Sequence, residues 1–337
     1  MPKKKFCVVV PAYNEEKVIE SSLRALKTTI KSDYIYVVSD GSKDKTVRLA
    51  NRAGVNVLAL RKNIGKARAL EKLIKVRKLR DEFKYILFSD ADSRLDKNFF
   101  KSIKVALKRK PACIVSTVSS HRRGIISAFR TYEYGLSHLV YKNAQNTLGT
   151  ITVAPGCASL YRHDILNKLD FSGNTLTEDY DLTLQIHEKR LGEIIYVPKA
   201  KVITQDPMYI KDYWNQVVRW NTGFWQNLFL HKLYLPTKKI NFEIYLSLLD
   251  SLVGIGALIY LAYHPEFLIK FIITIFAMTM IISVIILNFQ RQFWAILYAP
   301  LFPFIYFINL FAYIYSFFRM FSPKKHLLWN RAARYKL

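Results

Sequence analysis

The chain is short of acids. Against 51 lysines and arginines stand 25 aspartates and glutamates, a formal net charge of +26 over 337 residues. Such an excess suits anionic partners: lipid headgroups, diphosphates or nucleic acid. Nucleic acid is the weakest of the three, because zinc-finger spacing, an RNP-type aromatic strand and a basic-zipper heptad are all missing. Cysteine is scarce too. Cys7, Cys113 and Cys157 are odd in number and far apart, which excludes a disulfide framework and a cysteine-based metal motif. There is no G-x-G-x-x-G or Walker A loop, which argues against a nicotinamide enzyme or a P-loop NTPase. Repeats and low-complexity linkers are absent. The N-terminus, MPKKKFCVVVPAYNEE, has too short an apolar run before Pro11 for a signal peptide and reads as a first strand. The polar portion is therefore expected in the cytoplasm.

Charge is nearly missing from residues 244–318 as well. Three apolar stretches there, roughly 244–262, 267–288 and 293–318, match the about 20 residues that a bilayer crossing takes. His264-Pro265-Glu266 reads as a tight hairpin loop, and Asn288 to Gln292 as a second polar break. Three spans would put the basic tail, KKHLLWNRAARYKL, outside, against the positive-inside tendency. Pro300 and Pro303 permit a kinked or re-entrant last segment instead, so both parities stand. The expected organisation is a cytoplasmic catalytic domain over 1–205, an amphipathic interfacial segment over 206–240, a transmembrane region over 241–319 and a basic tail over 320–337.

In the first two hundred residues short β-rich runs alternate with helical stretches. Strands are predicted at Phe6–Pro11, Tyr34–Ser39, Val55–Leu60, Tyr85–Ser89 and Cys113–Val118, with helices near 15–30, 44–53, 64–80 and 97–109. That alternation predicts an α/β fold with a mostly parallel sheet flanked by helices. Ligands on such sheets bind beyond the carboxyl ends of the strands.

Polar and acidic groups recur at those ends. Pro11-Ala-Tyr13-Asn-Glu15 follows the first strand, Ser39-Asp40-Gly-Ser-Lys-Asp44 the second and Ser89-Asp90-Ala-Asp92-Ser93 the fourth. Each also has a purely structural reading: Asp40-Gly41 with Asp44 suits an Asx turn and a helix cap. Asp90 and Asp92 are harder to read that way, since two close carboxylates repel unless a cation joins them. A divalent ion held by one or two carboxylates and substrate phosphates meets that need. Lys66, after Asn63-Ile-Gly, either neutralises a diphosphate or merely starts a basic helix.

Thr175-Leu-Thr-Glu178-Asp179-Tyr-Asp181 opens another helix. Thr175 with Glu178 matches a capping box, and acids favour a helix N-terminus. Alternatively one of Glu178, Asp179 and Asp181 is a general base, and spacing does not choose among them. In the segment 208–230, Ile210, Tyr213, Trp214, Val217, Phe224, Trp225 and Leu228 share one apolar side at helical spacing. Gln216, Arg219 and Trp220 share another. A helix of this kind suits the bilayer interface, with a cation and an indole presented to whatever sits above it.

In this order, the Pro11–Glu15 motif, Asp40-Gly-Ser with Asp44, Asp90-Ala-Asp92, Thr177-Glu-Asp179 and Gln216-Val-Val-Arg219-Trp220 resemble family 2 glycosyltransferases over roughly residues 5–225. Within that family they resemble the membrane-embedded branch of cellulose, chitin and hyaluronan synthases, and ceramide glucosyltransferases carry the same Gln-x-x-Arg-Trp signature. The resemblance implies a GT-A fold, a nucleotide-diphosphate sugar donor (UDP before GDP), Mg²⁺ or Mn²⁺, and inversion at the anomeric carbon. It implies that Tyr13, Glu15, Asp40 and Asp90 contact the nucleotide, with Pro11 in the same motif. Asp92 would hold the metal and Asp179 would be the base. Gln216, Arg219 and Trp220 would close over diphosphate and acceptor, with Gly156 and Cys157 lining the acceptor end. The implied partners are a lipid or saccharide acceptor and membrane lipids, with the enzyme a multi-pass protein of the cell membrane. The apolar part is small beside that of large polysaccharide synthases, which use more spans to build a channel. A polyprenyl-phosphate sugar synthase is the second enzyme reading. A basic membrane-surface scaffold, binding anionic lipid through 208–239 and the tail, is the non-enzyme one.

Overall fold

The computed structural model describes residues 3–235, 240–321 and 334–335. The strands are β1 (Lys4–Ala12), β2 (Ile35–Ser39), β3 (Asn56–Ala59), β4 (Phe83–Phe88), β5 (Arg94–Leu95), β6 (Cys113–Ser120), β7 (Ser159–Arg162) and β8 (Ile194–Thr204). The α-helices are α1 (Ile19–Lys27), α2 (Thr46–Arg52), α3 (Lys66–Val76), α4 (Leu79–Glu82), α5 (Phe99–Ser102), α6 (Ile125–Leu136), α7 (Lys142–Leu148) and α8 (Glu178–Glu188). They continue with α9 (Ile210–Leu230), α10 (Asn241–Tyr263), α11 (Leu268–Gln290) and α12 (Phe302–Met320). The chain forms two compact units. One contains Met1–Ser119, Gln145–Gln205 and Ala333–Leu337; the other contains Ser120–Ala144 and Asp206–Ala332.

The first unit is built on an eight-stranded sheet of order β3-β2-β1-β4-β7-β6-β8-β5. Pairs β1–β2, β2–β3 and β1–β4 are parallel. Pairs β4–β7, β6–β7 and β5–β8 are antiparallel. Cys7–Val10 and Ile35–Val38 are continuous apolar runs buried on both faces, which a parallel sheet covered by helices requires. The helices supply matching stripes. Ile19, Leu23 and Leu26 are buried on α1, and Leu70, Leu73 and Ile74 on α3, at the spacing of one helical face.

The sequence reading placed β1, β2, β3, β4 and β6 to within a few residues but missed β5, β7 and β8, which belong to the antiparallel part. The helix expected near 97–109 is divided into α5 and a 3₁₀ turn at Ala106–Arg109. The one expected near 64–80 breaks at Lys78, whose φ is +50°.

From β1 the chain steps outward through β2 to β3, then returns to β4 on the other side of β1. The order therefore reverses at β1 and β4, and sheets of this kind bind ligands beyond the strand ends at such a reversal. Tyr13–Glu15 and Ser89–Asp92 are the segments that follow those two strands.

In the second unit, α10, α11 and α12 belong to three helical stretches long and apolar enough to cross a membrane: Asn241–Tyr263, Pro265–Gln290 and Phe293–Met320. Most of the stripe on α9 read as facing lipid is covered from within this unit instead, while Ile210 at its start stays exposed. Tyr213, Val217 and Leu228 are buried. The Trp225 ring lies 4.7 Å from that of Tyr313 and 5.0 Å from that of Phe317, and Trp214 stacks toward Tyr315 at 6.1 Å. The Trp225 indole N–H also donates to the Tyr313 carbonyl at 3.2 Å. An apolar helix surface satisfies an apolar stripe as well as lipid does, and α12 provides it.

Candidate active site

The loop after β1 is fastened to the loop after β2 by its own polar groups. Ser42 Oγ accepts from the Asn14 amide at 3.0 Å, Asn14 Oδ1 from the Lys43 amide at 2.8 Å, and Thr46 Oγ1 from the Glu15 amide at 2.7 Å. Asp44 accepts from the Thr46 and Glu16 amides, both at 3.0 Å, so it is the Asx-type clamp that its position suggested. Asn14 takes a left-handed φ of +54°, a turn that aims Glu15 inward, where it is 3% exposed.

Asp40, 4% exposed, accepts the Ile64 and Gly65 amides at 2.8 and 2.9 Å, one on each carboxylate oxygen. It thereby fixes the turn that starts α3. Gly41 has φ +73°, and a Cβ there would come within 2.6 Å of the Asn63 nitrogen, so this approach needs glycine.

That turn delivers Lys66. Its ammonium lies 2.8 Å from Asp90 Oδ1 and 2.8 Å from Glu178 Oε1, tying the loop after β4 to the start of α8. Burial alone would pull this lysine down, but Asp90 and then Glu178 outweigh it and hold the ammonium well above the usual lysine range. Gly156 makes room for it: a Cβ there would stand 2.7 Å from the Lys66 nitrogen.

The expected capping box does not form. Thr177, not Thr175, is the N-cap of α8; Glu178 is drawn to Lys66, and Thr175 Oγ1 donates to the Thr177 carbonyl at 3.2 Å. Of the three acids there, Asp181 is buried and accepts from the side-chain Nε2 of Gln185 at 3.2 Å. Asp179 is oriented by backbone donors: Gly156 N–H to Oδ2 at 3.1 Å and Tyr180 N–H to Oδ1 at 2.9 Å. Cys157, next to Gly156, is buried, and its thiol is pushed well up by burial and then by the charges of Asp90 and Asp92.

Asp92, 5% exposed, reaches a cation that sequence reasoning missed. Arg334 Nε and Nη2 each donate to Glu15 at 3.0 Å, and Nη1 donates to Asp92 Oδ2. No local pattern signals a contact between residues 319 positions apart. Among the described residues no group of three or more His, Cys, Asp or Glu side chains has a metal-holding arrangement. The two buried acids already shared by one cation do fit a divalent ion that takes its other ligands from phosphate and water. Pro11 and Tyr13 lie on β1 and just beyond it, at the same sheet edge.

In the second unit, Gln216, Arg219 and Trp220 sit on α9. Arg130 of α6, 1% exposed, donates to Gln216 Oε1. Its guanidinium lies 4.4 Å from the Tyr213 ring centroid and 4.6 Å from that of Trp220. Glu133 completes the set, pairing with Arg130 at 2.7 Å and accepting from Tyr213 Oη at 2.6 Å and Asn309 Nδ2 at 2.8 Å. Arg130, Glu133 and Asn309 were not expected from sequence; only the pairing of Glu133 with Arg130 one helical turn away had a readable spacing.

A family model described as glycosyltransferase like family 2 matches residues 2–223. An uncharacterized glycosyltransferase of Escherichia coli, YaiP, is 26% identical over 267 residues, covering 75% of this chain and 66% of that protein. The hyaluronan synthase of Streptococcus pyogenes is 23% identical over 244 residues, 66% of this chain and 57% of the synthase. The chain thus spans less than two thirds of the length of either relative. Among solved structures, a mannosyltransferase from Pyrobaculum calidifontis in complex with GDP-Man and Mn²⁺ superimposes with a TM-score of 0.58 at 17% identity, over 89% of this chain and 87% of that one. The fold is the GT-A fold expected from the motifs, and the chain belongs to the family 2 glycosyltransferases.

Proposed function

We propose that this protein is a membrane-anchored, inverting glycosyltransferase that moves a sugar from a nucleotide diphosphate donor to a lipid-linked or growing saccharide acceptor. The observation that carries the reading is the cation site at the strand-order reversal, where Glu15 and Asp92 are buried around one positive charge. A site that selects positive charge beside Lys66 suits a diphosphate accompanied by Mg²⁺ or Mn²⁺. Asp92 would hold the ion, with Asp90 as the second carboxylate, and bound there the ion would stabilise charge on the departing diphosphate.

The chain's own groups account for the rest. Asp179, with its carboxylate fixed by two backbone amides, takes the proton of the acceptor hydroxyl. The acceptor oxygen bonds to the anomeric carbon from the face opposite the diphosphate. The bond from that carbon to the diphosphate oxygen breaks, and the nucleotide leaves with the electron pair. Direct displacement needs one base, so Glu178 can stay paired with Lys66. Tyr13, Glu15 and Asp40 belong to the nucleotide side of the site, Gly156 and Cys157 to the acceptor end. Gln216, Arg219 and Trp220 are proposed to close over diphosphate and acceptor, and Arg219 brings positive charge to the leaving group. We further propose that the catalytic unit faces the cytoplasm.

The test is a donor panel. The resemblance favours UDP-sugars, and the Pyrobaculum calidifontis enzyme holds GDP-Man, so both classes belong in it. Detergent-solubilised full-length protein with Mn²⁺ should release nucleoside diphosphate from one donor, faster with membrane lipid extract. Binding of neither UDP nor GDP in calorimetry would sink the reading.

A further inference from the structure

We propose that Arg334 is a resident cation of the Glu15–Asp92 site, so that the C-terminal tail and a metal-bound nucleotide compete for the same pair of carboxylates. The inference rests on the reading that Asp92 takes a divalent ion together with the donor.

The contact is built like a recognition contact. The Arg334 guanidinium forks onto the Glu15 carboxylate with two bonds of 3.0 Å and turns its remaining nitrogen to Asp92. Two-bond guanidinium–carboxylate pairing is directional as well as strong. The side chains are 19% exposed for Arg334, 4% for Glu15 and 7% for Asp92. A second bond fixes the backbone beside it: Gln205 Nε2 donates to the Tyr335 carbonyl at 2.8 Å. The tail is thus seated at two adjacent residues in the first unit, to which Glu15, Asp92 and Gln205 also belong.

Charge explains the seat. Two buried carboxylates with no cation between them repel and carry a desolvation cost. Arg334 removes that cost without a ligand. A divalent ion on Asp92 would do the same, and because Arg334 already holds one oxygen of that carboxylate, an ion there would stand within reach of the guanidinium's charge. The two cations exclude each other. Donor binding must unseat the tail, and the free protein is held in a state from which metal alone binds weakly. Arg334, read from sequence only as one charge of the basic tail, becomes part of the donor site.

The experiment uses full-length protein in detergent, wild type and Arg334→Ala, with Arg334→Lys as a variant that keeps the charge but loses the fork. Mn²⁺ affinity is read by electron paramagnetic resonance, without nucleotide and with UDP or GDP. Apparent affinity should rise about fivefold or more in Arg334→Ala, the lower end of ordinary coupling between competing ligands, with Arg334→Lys between the two. Equal or weaker binding in Arg334→Ala overturns the competition; weaker binding would make Arg334 a nucleotide ligand. A metal-free control asks whether the seat exists. In EDTA, melting of Arg334→Ala, Glu15→Gln and the double variant should be non-additive, and additive shifts overturn the proposal. Failure of the proposed function reads differently, as no donor turnover by any of the proteins. Turnover by wild type with no gain in Mn²⁺ affinity on losing Arg334 overturns the competition alone.

Discussion

Glu178 and Asp179 are adjacent in sequence and differ in what holds them. Glu178 shares the Lys66 ammonium with Asp90 at 2.8 Å, whereas Asp179 is oriented by the Gly156 and Tyr180 amides. The base should therefore be Asp179. Asp179→Asn keeps the shape and the backbone contacts of one oxygen but cannot take a proton. Transfer should fall on the order of 10²–10⁴-fold, with nucleotide affinity in calorimetry unchanged. Transfer to polyprenyl phosphate that survives the substitution would favour the other acceptor class, since an ionised phosphate hardly needs a base. Cys157 gives a second residue-scale prediction. Burial, then Asp90 and Asp92, raise its thiol well above the usual range, so the reactive thiolate stays scarce as pH rises from 7 toward 9. Short iodoacetamide exposure followed by mass spectrometry should leave Cys157 unmodified in native protein and label it after unfolding. Labelling in the native state would show that the surroundings of Cys157 are wetter and less acidic than its contacts imply.

Between elements, the set on α6, α9 and α12 depends on one buried arginine. Arg130 is 1% exposed and its partner Glu133 19%, so deleting the arginine strands an acid that also serves Tyr213 and Asn309. Arg130→Ala should cost about 3 kcal/mol, the low end for breaking a buried pair because Glu133 keeps some solvent, measured as a lower melting point in detergent. Arg130→Lys keeps the charge but not the planar stack on Tyr213 and Trp220, so it should recover stability better than transfer. Much of the first unit was legible because long apolar runs such as Phe6–Val10 and Ile35–Val38 have few other places to go than a parallel sheet covered on both faces. The antiparallel strands were not. Ser159–Arg162 is a strand because Phe88, Tyr161 and their neighbours pair across the sheet, a tertiary fact with little local pattern. Periodicity found the stripe on α9 but could not distinguish a lipid from Tyr313 and Phe317, which are equally apolar. The acids of the site were readable as strand-end residues, and Lys66 as one of two alternatives. Arg334 was not, since its role depends on a contact spanning almost the whole chain.

For the molecule as a whole, the two readings of the basic surplus make opposite demands on the membrane. A surface scaffold would be held by charge, and at 1 M salt the screening length shrinks to about 3 Å, enough to release it. The three apolar helical stretches require something else. Only 12%, 11% and 33% of their apolar windows are buried within the protein, and Leu252, Ile269, Ile281 and Phe318 are each at least 65% exposed. Apolar surface on that scale is not left in water by a stable monomer. The full-length protein should therefore remain in the membrane pellet through 1 M salt and through alkaline carbonate, and leave it only with detergent, followed by immunoblotting of each wash. Alkaline carbonate decides the matter, because it strips proteins held by charge and leaves those whose segments lie in the hydrocarbon. Release by salt would return the basic surface to the leading role. Release by carbonate but not by salt would mean that the apolar stretches rest on the bilayer rather than cross it, and the odd-span argument about the tail would lose its basis. Retention through both places α10, α11 and α12 in the hydrocarbon, and the sidedness of Arg334 then becomes a measurable consequence. If the tail reaches Glu15 and Asp92, protease added to the face that carries the catalytic unit must also be the protease that removes the C-terminus.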